Sequence, residues 1–201
     1  TISTGLIVII SININNNKDM RIECAQEKLR GAVGLAERIS GKHMTLPVLS
    51  CLLLEATKDN HLVIKATNLD LGIEIIIPGK VEEPGIVAIP SSTLASFVGG
   101  IVDGEKGVKI DLQQGNVKIS TAKSSGVIKT LPHEDFPSIP KIDSGNGFSL
   151  NAPDFVKGLK SVWYSSSISS IKPELSSVYV YCEEEFVVFV ATDSFRLAEK
   201  R

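Results

Sequence analysis

Residues 190–198 read Val-Ala-Thr-Asp-Ser-Phe-Arg-Leu-Ala, an apolar strand pattern that carries one cation, Arg196. The same Ala-Thr pair opens an earlier stretch, Ala66-Thr67-Asn68-Leu69-Asp70-Leu71-Gly72-Ile73. Working outward, a shift of 126 residues sets Ile22 on Phe148 and Cys24 on Leu150. Leu29, Val33 and Ala36 fall on Phe155, Leu159 and Val162, all apolar, and Pro47, Leu49 and Ser50 fall on Pro173, Leu175 and Ser176. One residue lost in the hairpin turn then brings Ala66-Thr67 onto Ala191-Thr192. Strand, helix, Pro-x-Leu-Ser, hairpin and Ala-Thr thus occur twice in the same order. A period this long means tandem domains rather than a solenoid, and a second unit of equal length would run to about residue 270.

The elements between these landmarks follow from periodicity. Met20–Ala25 reads as a strand. Leu29, Val33, Ala36 and Ile39 take helical spacing across 26–40, where Gly31 and Gly34 weaken the helix locally. Strands are expected over 49–56, 62–67 and 71–77, with Pro78 and Gly79 ending the last. A short strand over 86–89 leads into a helix over 91–102, with Ser91 or Ser92 as its N-cap. Strands over 108–112, 117–121 and 126–130 follow. The stretch 131–147, with Pro132, Pro137, Pro140, Gly145 and Gly147, is the expected linker. Helices and strands come in runs, not in strict alternation, so the class is α+β with antiparallel sheets and two helices per unit. The expected organisation is a leader over 1–19, one complete domain over 20–141, and the first half of a second over 148–201.

The leader looks foreign to this scheme. Its apolar run, 5–10, is too short to cross a bilayer, and it lacks the basic region and cleavage site of a secretory signal. Met20 is therefore expected as the native start. The 201-residue chain is 43% hydrophobic and 22% charged, enough to bury a core. Cys24, Cys51 and Cys182 are too few and scattered for a disulfide framework, and their odd number argues for a reducing, cytoplasmic compartment. Aromatic residues at 5% argue against a base-stacking platform of the single-strand-binding kind. The formal charge of −2 hides an asymmetry. Segment 26–42 carries four cations against Glu27 and Glu37, and segment 152–172 carries Lys157, Lys160 and Lys172 against Asp154. Each segment sums to +2, leaving −6 on the rest. Basic helices on an acidic body suit a phosphate backbone.

Catalytic motifs fail on inspection. Residues 99–106, Gly-Gly-Ile-Val-Asp-Gly-Glu-Lys, mimic a phosphate loop, but Lys106 does not follow the last glycine directly and no Ser or Thr comes after it. The segment reads as a helix stop and turn. His43, His61 and His133 share no metal-ligand spacing with the cysteines. No Gly-x-Ser-x-Gly elbow occurs. Glu82-Glu83 and Glu183–Glu185 read as solvated turns, and Trp163 is expected in the core.

Three further segments carry a resemblance: Thr45-Leu46-Pro47-Val48-Leu49, Leu131-Pro132 with Asp135-Phe136-Pro137, and Lys172-Pro173-Glu174-Leu175-Ser176-Ser177-Val178. With the two Ala-Thr stretches they strongly resemble the bacterial DNA sliding clamp, the β subunit of the replicative DNA polymerase III, from Met20 to Arg201. The resemblance implies a DNA-clamp fold and a three-domain chain whose third domain is absent here. Two such chains would close head to tail into a homodimeric ring around duplex DNA, with helices lining the hole. It implies a non-catalytic processivity factor without cofactor, metal or membrane, partnered by the polymerase and a clamp loader. It places DNA contacts at Lys42 and His43, at Ser170 and Lys172, and on the helices at Arg30 and Lys157. His43 stands where the family has a stronger base, so Lys42 is the favoured phosphate contact. It also implies a cleft for short peptide motifs, walled by Leu175, Thr192, Ser194, Phe195, Arg196 and Leu197. Many relatives have Gly and His or Tyr in place of Ser194 and Phe195. Two rivals stand beside this reading. A hydrolase or NTPase would show turnover dependent on Lys106. A β-rich interaction module with an N-terminal membrane anchor would bind membranes through residues 5–12.

Overall fold

The computed structural model describes residues 19–41, 46–101, 106–140, 149–169, 171–172, 174–183 and 185–201. The chain divides into two compact units, 1–141 and 142–201. Unit 1 contains β1 (Arg21–Ala25), α1 (Gln26–Ile39), β2 (Cys51–Thr57), β3 (His61–Thr67), β4 (Gly72–Glu83), β5 (Gly85–Pro90), α2 (Ser91–Gly99), β6 (Gly107–Gln113), β7 (Asn116–Ser120) and β8 (Ser125–Lys129). Its strands form one antiparallel sheet in the order β5-β2-β3-β4-β1-β6-β7-β8. Leu131, two residues past β8, bridges to Ala88 of β5, its N–H donating to the Ala88 carbonyl at 3.0 Å, so the two ends of the sheet meet.

Alternation builds this sheet. Val108, Ile110 and Leu112 of β6 and Val117 and Ile119 of β7 point into the core, while Lys109 and Lys118 point out. The β6–β7 turn places Gln114 and Gly115 at φ 49° and 77°, as a two-residue hairpin requires. Leu29, Val33 and Ala36 of α1 and Leu94 and Val98 of α2 pack on the same core as Ile22, Leu52, Leu62 and Ile64. The helices lie side by side and antiparallel: the Ser40 and Ser91 hydroxyls, 2.9 Å apart, join one pair of ends, and at the other Gln26 Nε2 donates to the Ile101 carbonyl at 3.3 Å.

Two expectations are corrected here. Pro78 and Gly79 do not end a strand; they lie inside β4. Before them β4 pairs with β3, the last pair being His61 with Pro78; from Gly79 onward it pairs with β1. The missing Pro78 N–H falls where one partner is exchanged for the other. Gly79 fits because β1 comes too close for a side chain: a Cβ there would lie 2.8 Å from Ile22 Cδ1 and 3.1 Å from the Glu23 carbonyl oxygen. Asn60, at φ 61°, secures the crossing by accepting from the Gly79 N–H at 2.9 Å and, through its side chain, from the Val81 N–H at 3.1 Å. The second correction concerns α2. Its N-cap is Pro90, and Ser91, buried, spends its hydroxyl on Ser40 rather than on the helix end. The helix stops at Gly99, whose successor Gly100 donates to the Ser96 and Phe97 carbonyls. The phosphate-loop mimic thus begins at a helix end, and its residues 102–105 lie outside the described residues.

Unit 2 contains α3 (Ala152–Val162), which passes into a 3-10 turn (Trp163–Ser165), then β9 (Tyr179–Glu183), β10 (Phe186–Thr192) and β11 (Leu197–Lys200). The strands form an antiparallel sheet in the order β11-β10-β9. Its core is small: Val162, Phe189, Ala191 and Ala198, with Leu159, Val178, Val180 and Val187 at its margin. Of the expected leader, 1–19, residues 1–18 lie outside the described residues.

Candidate functional site

The first candidate surface is the solvent side of the helices. With Leu29, Ala32, Val33 and Ala36 turned into the core, α1 exposes Lys28, Arg30, Leu35 and Arg38 together with Glu27. On the opposite face of the unit 1 sheet three cations lie against carboxylates. Arg21 Nε is 3.0 Å from Asp111 and its Nη1 3.7 Å from Glu82; Lys65 sits between Glu55 at 3.0 Å and Glu74 at 3.6 Å; Lys109 is 3.9 Å from Glu23. Asp111 and its neighbours hold Arg21 above its ordinary pKa. Among the described residues Lys28 and Arg38 have no such partner.

In α3 the orientation is set by Gly158. A Cβ there would collide with Phe189 Cε2, so the helix backbone lies directly on that ring, and Phe155 tilts against the same ring at 5.8 Å between centroids. Lys157 and Lys160 consequently face solvent. Trp163 and Tyr164 do too, at 61% and 60% exposure. The core position expected for Trp163 is overturned because the helix tightens there into a 3-10 turn. That changes the rotation per residue, and Ser165 is buried in its place. Lys172 is exposed. Lys42, His43 and Ser170, the other expected DNA contacts, lie outside the described residues.

The second candidate is the β10–β11 turn. Thr192 Oγ1 donates to the Arg196 carbonyl at 2.7 Å and accepts from the Ser194 N–H at 3.1 Å. Asp193 Oδ1 accepts from the Phe195 and Arg196 N–H groups, both at 3.0 Å. Ser194 lies at φ 77°. The β3–β4 turn of unit 1 repeats this bond for bond. Thr67 Oγ1 donates to the Leu71 carbonyl at 2.8 Å and accepts from Leu69 N–H at 3.0 Å; Asn68 Oδ1 accepts from Asp70 and Leu71 at 3.1 and 2.7 Å; Leu69 lies at φ 78°. The Ala-Thr repeat of the sequence is thus a turn clasped by a hydroxyl and an Asx oxygen.

This geometry relocates Arg196. Expected inside a strand and in need of a partner, it stands in the turn, exposed, with Nε 3.0 Å from Asp193 Oδ2. The Phe195 and Arg196 amides, then the Arg196 guanidinium, hold the Asp193 carboxyl below its ordinary 3.8. Asp193 is the residue that reading the sequence missed; its signal was the Asn at the equivalent position 68. The turn gathers Thr192, Ser194, Phe195, Arg196 and Leu197, with Phe195 97% and Leu197 66% exposed. Leu175, half-buried, stands on the separate loop before β9, its carbonyl accepting from the Ser167 N–H at 2.8 Å.

Among the described residues the remaining reactive groups make no site. Burial, with the Glu23 charge beside it, pushes the Cys24 thiol up to about 12, and burial raises Cys51 as well. Among the described residues no three His, Cys, Asp or Glu side chains gather as for a metal, and no helix is long and apolar enough to cross a membrane.

Comparison with known proteins agrees with this geometry. The family described as DNA polymerase III beta subunit, N-terminal domain, matches residues 20–140. The beta sliding clamp of Synechocystis sp. is 29% identical over 185 residues, which is 89% of this chain and 47% of that protein. The beta sliding clamp of Rickettsia felis is 26% identical over 167 residues, 83% of this chain and 44% of that protein. Among solved structures, the DNA polymerase III subunit beta of Pseudomonas aeruginosa superposes with a TM-score of 0.83 at 21% identity, over 90% of this chain and 49% of that one. A beta subunit from Eubacterium rectale gives 0.83 at 23%, over 90% and 49%. The chain therefore spans about half the length of the relatives it matches, and its α+β architecture of antiparallel sheets is that of the clamp fold. With residues 20–140 matched, the chain belongs to the DNA polymerase III beta subunit family.

Proposed function

We propose that this chain is part of a DNA sliding clamp, a non-catalytic protein that encircles duplex DNA and tethers the replicative polymerase to its template. The observation that carries the reading is the surface of α1 and α3. On a fold shared with clamp subunits, their solvent sides present Lys28, Arg38, Lys157 and Lys160, which no carboxylate neutralises among the described residues. Cations held this way attract phosphates without reading sequence. A closed ring cannot leave DNA sideways, so each contact can stay weak and the ring can slide.

In this reading residues 20–141 form the first clamp domain and 148–201 the first half of a second. Arg30, Lys42, His43, Lys157, Ser170 and Lys172 face the DNA. The turn from Thr192 to Leu197, with Leu175, forms one wall of a cleft for short apolar peptide motifs of the polymerase and the clamp loader. The ring is a head-to-tail homodimer working in the cytoplasm. The test is topological. Loaded onto DNA, the full-length protein should stay on a closed circle and run off the same DNA once linearised. Equal loss from both would refute the ring.

A further inference from the structure

The end of α3 carries an arrangement that encirclement alone does not call for. Between Asp154 and Glu174 the sequence holds three lysines and no carboxylate. Helical spacing puts Lys157 and Lys160 on one side of α3, away from the face that Gly158 and Val162 bury, and Tyr164 follows, exposed, in the 3-10 turn. Trp163 projects beside them from the start of the 3-10 turn. Asp154, one turn before Lys157, is the one acid on this helix, and among the described residues it forms no salt bridge with either lysine. The turn is held from below. Ser165 is buried, and the Ser166 N–H and hydroxyl both donate to the Trp163 carbonyl, at 3.0 and 2.7 Å. The two rings therefore project from an anchored backbone, and among the described residues neither stacks on another ring.

A protein covering this patch would have to bring a carboxylate to each lysine and an apolar seat to both rings, since a lysine desolvated without a partner is costly. A nucleic acid satisfies both halves of the patch. Phosphates neutralise the lysines, and a base offers the flat face that an indole or phenol ring prefers. Bases inside a duplex are already stacked, so the ring needs an unpaired one.

We propose that Lys157, Lys160, Trp163 and Tyr164 form a contact for single-stranded DNA, the lysines on phosphates and Trp163 stacked on an unpaired base. On a clamp this contact would sense the unpaired template beside a primer end. The inference rests on the clamp reading for that biological setting but not for the binding itself.

Trp163 is the single tryptophan of the chain, so its fluorescence reports this face alone. The test titrates the 201-residue chain at low salt with a dye-labelled oligothymidylate and with a duplex of equal length. Trp163 emission and dye anisotropy are followed together. The expected result is saturable quenching by the single strand, weaker quenching by the duplex, and steep loss of binding with salt. Trp163→Ala should weaken single-strand binding about five- to one-hundredfold, the range of one stacked base. Trp163→Phe should retain most of it, and Lys157→Glu with Lys160→Glu should abolish it. Lys118→Glu, on the unit 1 sheet, should change nothing.

Anisotropy that rises while Trp163 emission stays constant would overturn the inference and leave the clamp reading intact. Absence of binding by either readout would overturn it as well. So would emission that shifts with protein concentration alone, since a second copy would then be the occupant. Retention of the full-length ring on circular DNA is decided separately, so the two readings can fail independently.

Discussion

Asp193 differs from its unit 1 counterpart Asn68 by one heavy atom, an oxygen in place of an amide nitrogen. Both accept two backbone N–H groups through Oδ1. Only Asp193 adds an ion pair, to Arg196. Because the folded carboxyl is held below 3.8, its support for the turn is whole at neutral pH and fades as the pH falls through that lower value. The Phe195 and Arg196 amide resonances should therefore titrate together with a midpoint below 3.8. Asp193→Asn should remove the titration and keep the turn, as Asn68 does. A midpoint at or above 3.8 would contradict the geometry. At this scale the repeat was legible but its mechanism was not. Ala-Thr stood out as a sequence match, whereas the clasp needs a hydroxyl, an Asx oxygen and a left-handed residue acting together. Arg196 was read as a strand residue because period-2 patterning does not register a turn whose flanks are both apolar.

At the scale of elements, glycines divide the molecule's α1 from its β4. An added Cβ at Gly31 or Gly34 meets nothing within 4 Å, yet each weakens α1. Replacing either with Ala should raise the stability of unit 1 by about 1 kcal/mol, read from its denaturation midpoint. Gly79→Ala should lower it by roughly 1–3 kcal/mol, since Ile22 and the Glu23 carbonyl would have to move. Equal effects of the two replacements would show that β1 does not press on Gly79. The sequence revealed the helices and most strands because their faces alternate between core and solvent. It misread Pro78-Gly79 because the reason for that pair, close approach of β1, lies more than fifty residues earlier in the chain. Trp163 was misread for a related reason: helical phase was carried through a point where the helix tightens into a 3-10 turn.

Over the whole molecule the two units differ in what holds them. Unit 1 buries α1, α2 and eight strands around a large core, with a smaller cluster at Val48, Cys51 and Ala88, while the unit 2 core comprises Val162, Phe189, Ala191 and Ala198 with a thin margin. Burial of apolar surface is the main stabilising term, so unit 2 should unfold first. Trp163 belongs to unit 2, so its fluorescence midpoint in denaturant should fall below the main transition in far-ultraviolet circular dichroism. Coincident midpoints would mean a single cooperative structure. The repeat and the helix-borne charge were both legible in the sequence at this scale. Which sheet cations meet acids was not: among the described residues Arg21, Lys65 and Lys109 do and Lys80, Lys118 and Lys129 do not, and strand register decides it.

The Thr-Asx clasp has a further consequence for how such a protein can change over generations. Its first two side chains and the left-handed backbone of the third residue fix the shape of the turn, while the side chains at the next two positions differ between the units. Unit 1 fills those two with Asp70 and Leu71; unit 2 fills them with Phe195 and Arg196. Mutation can therefore rewrite what the tip displays while the backbone beneath it stays as inherited. Two copies of one ancestral loop can then serve different partners without either being refolded.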